Sequence, residues 1–394
     1  MLKIVHIITR LIVGGAQENT ILTCEGLHRL GHDVTLVTGS SPGPEGSLMR
    51  RATTGGYRVF VEDCLVRNPH PWKDMQAFRR LKRLLKTVQP DIVHTHSSKA
   101  GIIGRLAAWQ CKVPVIVHTI HGLPFHPYQS RLTNSAWIYL ERFAARRCHK
   151  IVCVADAMTV QALQAGVGTR EKFLTIYSGM ETQPFLAHTH DRASARQQLG
   201  IAPDRLVVGT IARLQPLKGH DDLLAIAQSL IKAEPRITFL WIGDGIFRDR
   251  FTALIEKSGW QDHFVLTGLV PPEQVPALIP AMDIMVHPSY REGLPRAVVQ
   301  GLLESVPAIV YNCDGAGEVC IADQTGIPVA PGDLAALQSA ILRLLQDQSL
   351  RDTLGSAGRA LAVTRFDAVG MVDQLLVLYR QLLQGETNAI KPGN

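Results

Sequence analysis

The chain has 394 residues, 46% hydrophobic and 19% charged, which is too long for a single core of the usual ~250–300-residue limit and too apolar for a disordered chain. It contains no apolar run near the ~20 residues needed to cross a bilayer, and Ile4–Ile8 is a strand-length start without a signal-peptide cleavage pattern. Seven cysteines at irregular spacings fit buried reduced thiols better than a disulfide framework or a zinc cluster, so a cytoplasmic protein of two similar domains is expected.

The formal charge of +7 is unevenly shared: residues 1–187 carry 23 Lys and Arg against 12 Asp and Glu, and the remainder 18 against 22. The asymmetry suggests that the first half meets something anionic, either a membrane surface or a pyrophosphate-linked acceptor. No basic run interleaved with aromatics favours nucleic acid.

Short β-branched runs alternate along the chain with amphipathic stretches of helical length, the pattern of parallel sheets covered by helices. In the first half the runs predict strands at Lys3–Thr9, Asp33–Thr38, Arg58–Val61, Asp91–Thr95, Val115–Thr119, Lys150–Val154 and Phe173–Ile176, in one sheet. The first runs into Gly14-Gly15 and then a helix, a turn at which backbone could approach a phosphate, although a plain tight turn explains it nearly as often. Next comes a helix with Met75, Phe78, Leu81 and Leu85 on its buried side and Arg79, Arg80, Lys82, Arg83 and Lys86 exposed. His94 and His96 share one face of their strand and could ligate a metal. With no third ligand in view, hydrogen-bonding roles near an acceptor are preferred, with Lys99 and an Ala100-Gly101 turn meeting an anionic group.

The helix Leu132–Arg147 carries Trp137, Tyr139 and Phe143 with Arg142, Arg146 and Arg147, which suits contact with an anionic leaflet, although core packing is the commoner role of such aromatics. Cys148 and Cys153 bracket a strand start and are expected in the core. Periodicity breaks at Gln183–Ala195, where Pro184 and a polar stretch predict an interdomain linker. It resumes with strands at Leu206–Thr210, Thr238–Gly243, Phe264–Thr267, Ile284–His287, Ala308–Tyr311 and Ile327–Ala330, and the tail Gly385–Asn394 is expected to be disordered.

Chemistry concentrates after two strands of the second half. Arg213 and Lys218 follow the strand ending at Thr210, where two cations could grip a diphosphate as readily as they could be solvated surface charges. Glu292 and Gly293 follow the strand ending at His287, ahead of a buried helix; the carboxylate could accept from sugar hydroxyls or merely complement the helix dipole. Ligands of open parallel sheets bind beyond the carboxyl ends of strands, so two such sheets facing each other would place a ligand in the cleft between domains.

The ordered set Gly14-Gly15, Asp91-Ile92-Val93-His94-Thr95-His96 with Lys99-Ala100-Gly101, His121-Gly122, Arg213 with Lys218, Gly243-Asp244-Gly245 and Glu292-Gly293-Leu294-Pro295 resembles glycosyltransferase family 4 over nearly the whole chain. The resemblance implies an α/β chain of GT-B architecture, two Rossmann-like domains about a cleft: an acceptor domain over 1–187, a donor domain over 196–365, and a C-terminal helix within 366–384 crossing back to the first. It further implies a retaining enzyme that moves a hexosyl or N-acetylhexosaminyl group from a nucleoside-diphosphate sugar, UDP-linked, to a cell-envelope or lipid-linked saccharide. By that likeness Arg213 and Lys218 neutralise the leaving diphosphate, Glu292 holds donor hydroxyls and His121 lies beside the anomeric centre. Gly14, Gly15, Gly243, Asp244, Leu269, Gly293, Leu294 and Gln300 line the donor, while His94, His96 and Lys99 serve the acceptor side. No cofactor or metal is expected, in keeping with the lack of an Asp-x-Asp triplet.

One departure stands out. The family's second glutamate, eight residues after the first, is here Gln300, which can still exchange hydrogen bonds with ribose hydroxyls but without charge assistance. A sugar-nucleotide epimerase of the same fold would need its own acid/base carboxylates, and Gln300 alone recommends a non-catalytic binder.

Overall fold

Strands buried on both faces are largely apolar, and the β-branched runs named above form strands, the edge run Arg58–Val61 being mostly exposed. The computed structural model describes residues 1–40, 46–187 and 191–385. By internal contacts the chain divides into two units, Met1–Met180 with the segment from Ala368 onward, and Glu181–Asp367.

In the first unit β1 (Lys3–Arg10), β2 (Asp33–Gly39), β3 (Arg58–Val61), β4 (Ile92–His96), β5 (Val115–Ile120), β6 (Lys150–Cys153) and β7 (Phe173–Thr175) form a seven-stranded sheet of order β3-β2-β1-β4-β5-β6-β7. In the second, β8 (Leu206–Ile211), β9 (Ile237–Ile242), β10 (Phe264–Gly268), β11 (Ile284–His287), β12 (Ala308–Tyr311) and β13 (Gly326–Val329) form a six-stranded sheet of order β10-β9-β8-β11-β12-β13. Every pairing between these strands is parallel. The winding reverses between β1 and β4 in one sheet and between β8 and β11 in the other, the points where such sheets open a crevice at their carboxyl ends.

The last helix, Ala368–Leu383, belongs to the first unit. Its Met371, Val372, Leu375, Tyr379 and Leu382 join one buried cluster with Ile4, Ile8, Ile21 and Leu27. It packs so closely on the helix Gly15–Arg29 that a Cβ at Gly26 would lie 2.7 Å from Val372 Cγ2. The core of the second unit gathers Phe239, Trp241, Phe251 and Phe264 with aliphatic side chains from the covering helices.

Local departures from expectation have physical causes. The predicted linker contains short helices, Gln183–Leu186 and Arg192–Gln198, the latter capped by Asp191. Residues 188–190 within that linker, and 386–394 of the tail, lie outside the described residues. Met75 is 48% exposed on the helix Pro71–Val88, whose buried side is Ala77, Leu81 and Leu85. Ala100 and Gly101 lie inside the helix Ser98–Gln110 and make no turn; Gly101 is small because a Cβ there would meet the His118 ring at 2.4 Å. All seven cysteines are free, with Cys148 and Cys153 fully buried. Among the described residues no helix is long and apolar enough to cross a membrane.

Candidate functional site

At the carboxyl ends of β8, β9 and β11 three loops of the second unit lock together through their backbones. Ala212 N–H donates to Ile242 O at 3.1 Å, Leu214 N–H to Asp244 O at 3.0 Å, and Tyr290 N–H to Leu217 O at 2.9 Å. Two glycines make the fit possible. Gly219 has φ 75°, and a Cβ on it would lie 2.0 Å from Pro288 O; Gly243 has φ 144°, and its Cβ would lie 2.2 Å from Ala212 O. Tyr290 and Tyr311 both donate to Asp222 Oδ2 at 2.6 Å, tying the Pro288–Gly293 segment to the helix His220–Ala233.

On this frame Lys218 and Glu292, 74 residues apart, meet: Nζ donates to Oε1 at 2.6 Å, and His287 Nε2 donates to the same oxygen at 2.8 Å. A carboxylate only accepts, so His287 carries a proton on Nε2 in this contact, and its Nδ1 is buried without a partner among the described residues. Glu292 N–H donates to Asp314 Oδ2 at 2.7 Å. Burial opposes ionisation of Glu292, but the Lys218 ammonium and the His287 imidazole more than offset it, and its carboxyl is held well below the usual carboxylate range. Lys218 also reaches Ser289 Oγ at 3.4 Å.

Other residues expected on the donor side lie on loops and a helix of the same unit. Arg213 is half-buried in the same loop as Lys218. Asp244 caps its own turn by accepting from Gly245 N–H at 2.7 Å, Gly293 O accepts from Gly315 N–H at 3.0 Å, and Leu294 is buried. Gln300 is half-buried on the helix Arg296–Leu303. Leu269 is 49% exposed just past β10.

In the first unit Gly14 stands at the N-cap of the helix Gly15–Arg29 in extended backbone, φ 173°. His94 and His96 do share a face of β4, and the structure supplies the third ring that the sequence did not: His6 of β1, in register with His94. The ligating nitrogens of His6, His94 and His96 lie within 4.8 Å of one another. They are engaged as hydrogen-bonding groups: His6 Nδ1 with His96 Nε2 at 2.9 Å, His96 Nδ1 with His121 Nε2 at 3.0 Å, and His94 with Tyr379 Oη through Nδ1 and Thr119 Oγ1 through Nε2. Burial holds His6 down to about 3 and His94 and His96 well below the ordinary imidazole value, so all three are neutral at physiological pH.

Two residues expected on the acceptor side have their polar atoms engaged inside the first unit. His94 is fully buried and both its nitrogens face interior partners. Lys99 is 9% exposed, and its ammonium is spent on Asp74 Oδ1 and Asn68 O, each at 2.5 Å, because the helix Pro71–Val88 brings a carboxylate against it. His121, by contrast, lines a cavity of about 230 Å³ with Ser97, Ser98, Thr119, Ile120 and Leu123. Sequence reasoning missed His6, His287, Asp314 and Tyr379. Only His6 and His287 carried a signal, each a histidine within or ending an otherwise apolar strand.

Comparison with known proteins gives one answer over both units. Residues 13–184 match the model of Glycosyltransferase Family 4, and residues 191–361 that of Glycosyl transferases group 1. The chain is similar to the UDP-Gal:alpha-D-GlcNAc-diphosphoundecaprenol alpha-1,3-galactosyltransferase of Escherichia coli, 27% identical over 96% of each chain. It is also similar to the capsular polysaccharide biosynthesis glycosyltransferase CapM of Staphylococcus aureus, 24% identical over 79% of this chain and 84% of that one. Among solved structures, Anabaena Alr3699/HepE in complex with UDP-glucose shares the fold with a TM-score of 0.82, at 22% identity, over 97% of this chain and all of the other. With both sheets and both motif clusters inside these matches, the chain belongs to glycosyltransferase family 4 and is an enzyme of the GT-B fold, built from two Rossmann-like domains.

Proposed function

We propose that the protein is a retaining glycosyltransferase that moves a hexosyl or N-acetylhexosaminyl group from a UDP-sugar to a lipid-linked or other cell-envelope saccharide, without a metal. The observation that carries this reading is the Lys218–Glu292–His287 cluster at the carboxyl end of β11, beside the loop holding Arg213. Without donor, Lys218 and Glu292 neutralise each other. A donor diphosphate would replace the carboxylate as counter-ion of Lys218 and Arg213, freeing Glu292 to accept from sugar hydroxyls. As the glycosidic bond breaks, charge gathers on the departing diphosphate, where each preorganised cation contributes about 2.7–4 kcal/mol by analogy with an oxyanion donor. His121 would stand by the reacting carbon, and the acceptor oxygen attacks from the face the diphosphate leaves, with no side chain assigned as covalent nucleophile. Gly14 and Gly15 take the phosphate side of the first unit, and Gly243, Asp244, Leu269, Gly293, Leu294 and Gln300 hold the remainder of the donor.

Support for the donor and acceptor classes comes from relatives. The Escherichia coli enzyme is named for UDP-galactose and a diphosphoundecaprenol-linked GlcNAc, with an alpha linkage in its product. The Anabaena structures hold UDP and UDP-glucose. For a membrane-embedded acceptor the first unit offers a matching surface. Leu132, Tyr139 and Leu140 are exposed on the helix Arg131–Ala145, and Trp72 on the helix Pro71–Val88, which also exposes Arg79, Arg80, Arg83 and Lys86. Both helices pack on Ser98–Gln110, so apolar and basic groups share one side of the sheet, as peripheral contact with an anionic leaflet requires.

Incubation of the purified enzyme with a panel of UDP-sugars and a diphosphate-lipid-linked GlcNAc acceptor tests the proposal. The expected product is an alpha-linked disaccharide, unaffected by EDTA and lost in Glu292→Ala and Lys218→Ala. An epimerised donor, or donor binding without turnover, would overturn it.

A further inference from the structure

The cavity of about 230 Å³ beside His121 is also lined by two side chains that the function proposed above does not use, His118 and Glu141, each 2% exposed. His118 stands on β5, where the helix Ser98–Gln110 presses on its ring: a Cβ at Gly101 would lie 2.4 Å from its Cε1. Glu141 lies on the buried side of the helix Arg131–Ala145, whose outer side carries Leu132 and Tyr139. Much of the remaining wall is apolar, with Ala16, Ile120, Leu123, Pro124 and Val167.

Each of the two holds an unused acceptor. His118 Nδ1 lies 3.1 Å from Thr95 O, and a carbonyl only accepts, so the ring carries a proton on Nδ1. Thr95 Oγ1, 2.9 Å from the same nitrogen, shares that proton and donates its own to Val117 O. Burial, followed by the nearby Arg105 charge, holds His118 well below the ordinary imidazole value, so the ring is neutral and Nε2 keeps a lone pair. On Glu141, Arg105 Nη2 donates to Oε2 at 2.7 Å, which leaves Oε1, and a carboxylate oxygen offers lone pairs alone. Among the described residues neither His118 Nε2 nor Glu141 Oε1 has a hydrogen-bond partner.

We propose that this cavity is a sugar subsite, in which His118 Nε2 and Glu141 Oε1 accept hydrogen bonds from two donor groups of one neutral sugar ring. The charges select the ligand. Arg105 already neutralises Glu141, so a cation gains little there, and two lone-pair acceptors repel a phosphate. A pyranose meets both demands, because its hydroxyl groups donate at the ring edge while its C–H faces pack on the apolar wall. At about 230 Å³ the cavity lies below the ~300 Å³ at which pockets for drug-sized ligands begin, so it admits one ring and no nucleotide. A ligand lacking either donor leaves a buried acceptor unpaired, which is the basis of discrimination. That this ring is the terminal sugar of the acceptor rests on the function proposed above; the sugar subsite itself does not.

Long-range proton–nitrogen correlation spectra of the full chain, labelled with nitrogen-15 histidine, read His118 directly. The expected result is a proton on Nδ1 and a bare Nε2, whose signal moves upfield as it accepts from an added methyl glycoside of glucose, galactose or N-acetylglucosamine. A proton on Nε2 in the free protein overturns the proposal, as does an Nε2 signal unmoved by all three sugars or moved equally by inorganic diphosphate. In transfer assays His118→Phe should raise the KM for a water-soluble GlcNAc-diphosphate acceptor about three- to tenfold at a donor KM within about twofold, and His118→Gln, whose amide oxygen can accept, should recover most of the loss. An unchanged acceptor KM in folded His118→Phe also overturns it. The spectra of the unaltered protein decide the matter if neither variant folds. Should a sugar move Nε2 while no donor supports transfer, the subsite stands and the proposed function alone fails.

Discussion

Lys218→Met removes the ammonium and keeps the length and most of the apolar stem. In the free enzyme it strands Glu292, whose side chain is 14% exposed against 19% for Lys218. Breaking a fully buried pair costs about 3–5 kcal/mol. Here His287 still donates to the same oxygen at 2.8 Å and both side chains keep some solvent, so about 1–2 kcal/mol of stability is expected to be lost. Urea unfolding of the two single variants and of Lys218→Met/Glu292→Gln should show the double variant less destabilised than Lys218→Met alone, because its carboxylate no longer lacks a counter-ion.

The same substitution shifts the pH response. A carboxyl depressed in the folded state contributes stability that is present above its unfolded value and lost as pH falls through its folded value. Glu292 is so depressed, with Lys218 the leading favourable cause. In Lys218→Met the folded value rises, and the acid loss of stability begins at a higher pH than in the unaltered protein. If Lys218 faces the leaving diphosphate as proposed above, its loss should lower kcat about 10²–10³-fold. A folded Lys218→Met whose kcat stays within about threefold of the unaltered enzyme would refute the role given to this side chain.

Other expectations follow from single contacts. Glu141→Gln strands the fully buried Arg105, which donates to Glu141 Oε2 at 2.7 Å and has a second nitrogen, Nη1, already unpartnered; about 3–5 kcal/mol should be lost in denaturant unfolding. Gly219→Ala places a Cβ 2.0 Å from Pro288 O at φ 75°, so it should lower the melting temperature and abolish transfer, whereas Gly200→Ala, at φ 67° with open space around it, should cost only about 1 kcal/mol. Glu304 is raised by burial to about 7, so its contribution is full below the unfolded carboxylate value and is lost as pH rises through 7; Glu304→Gln should remove about 1–2 kcal/mol of the fall in stability between mildly acidic and mildly alkaline buffer. Leu132→Glu with Tyr139→Glu should cut cosedimentation with anionic phospholipid vesicles by at least about fivefold and leave transfer to a water-soluble acceptor analogue unchanged; undiminished vesicle binding would remove this helix from the membrane surface.

The strands were legible because parallel strands covered on both faces are largely apolar, and such runs as Ile284–His287 and Ala308–Tyr311 stand out from the segments around them. Side-chain partnerships were not. The pairing of Lys218 with Glu292 spans 74 residues and depends on the close approach of two loops that only Gly219 permits. Lys99 read as a cation meeting an anionic group of an acceptor because nothing within its own helix shows that Asp74 arrives from another. His6 looked like one polar residue in an apolar strand until the register of β1 against β4 set it opposite His94. Tyr139 and Met75 misled in the opposite sense: aromatic and thioether side chains are usually inside, and both lie on outer helix faces.

The helix Ala368–Leu383 bears on how the polypeptide is made. It completes the hydrophobic cluster around Ile4, Ile8 and Leu27, yet emerges from the ribosome only after the 187 intervening residues of Glu181–Asp367. At ~5–20 residues per second that delay is about 10–40 s. Throughout it the nascent amino-terminal half holds an apolar strip open to solvent, so slow codons late in the message, or a stop before residue 368, should send this protein to chaperones or into aggregates while the carboxyl-terminal sheet forms undisturbed.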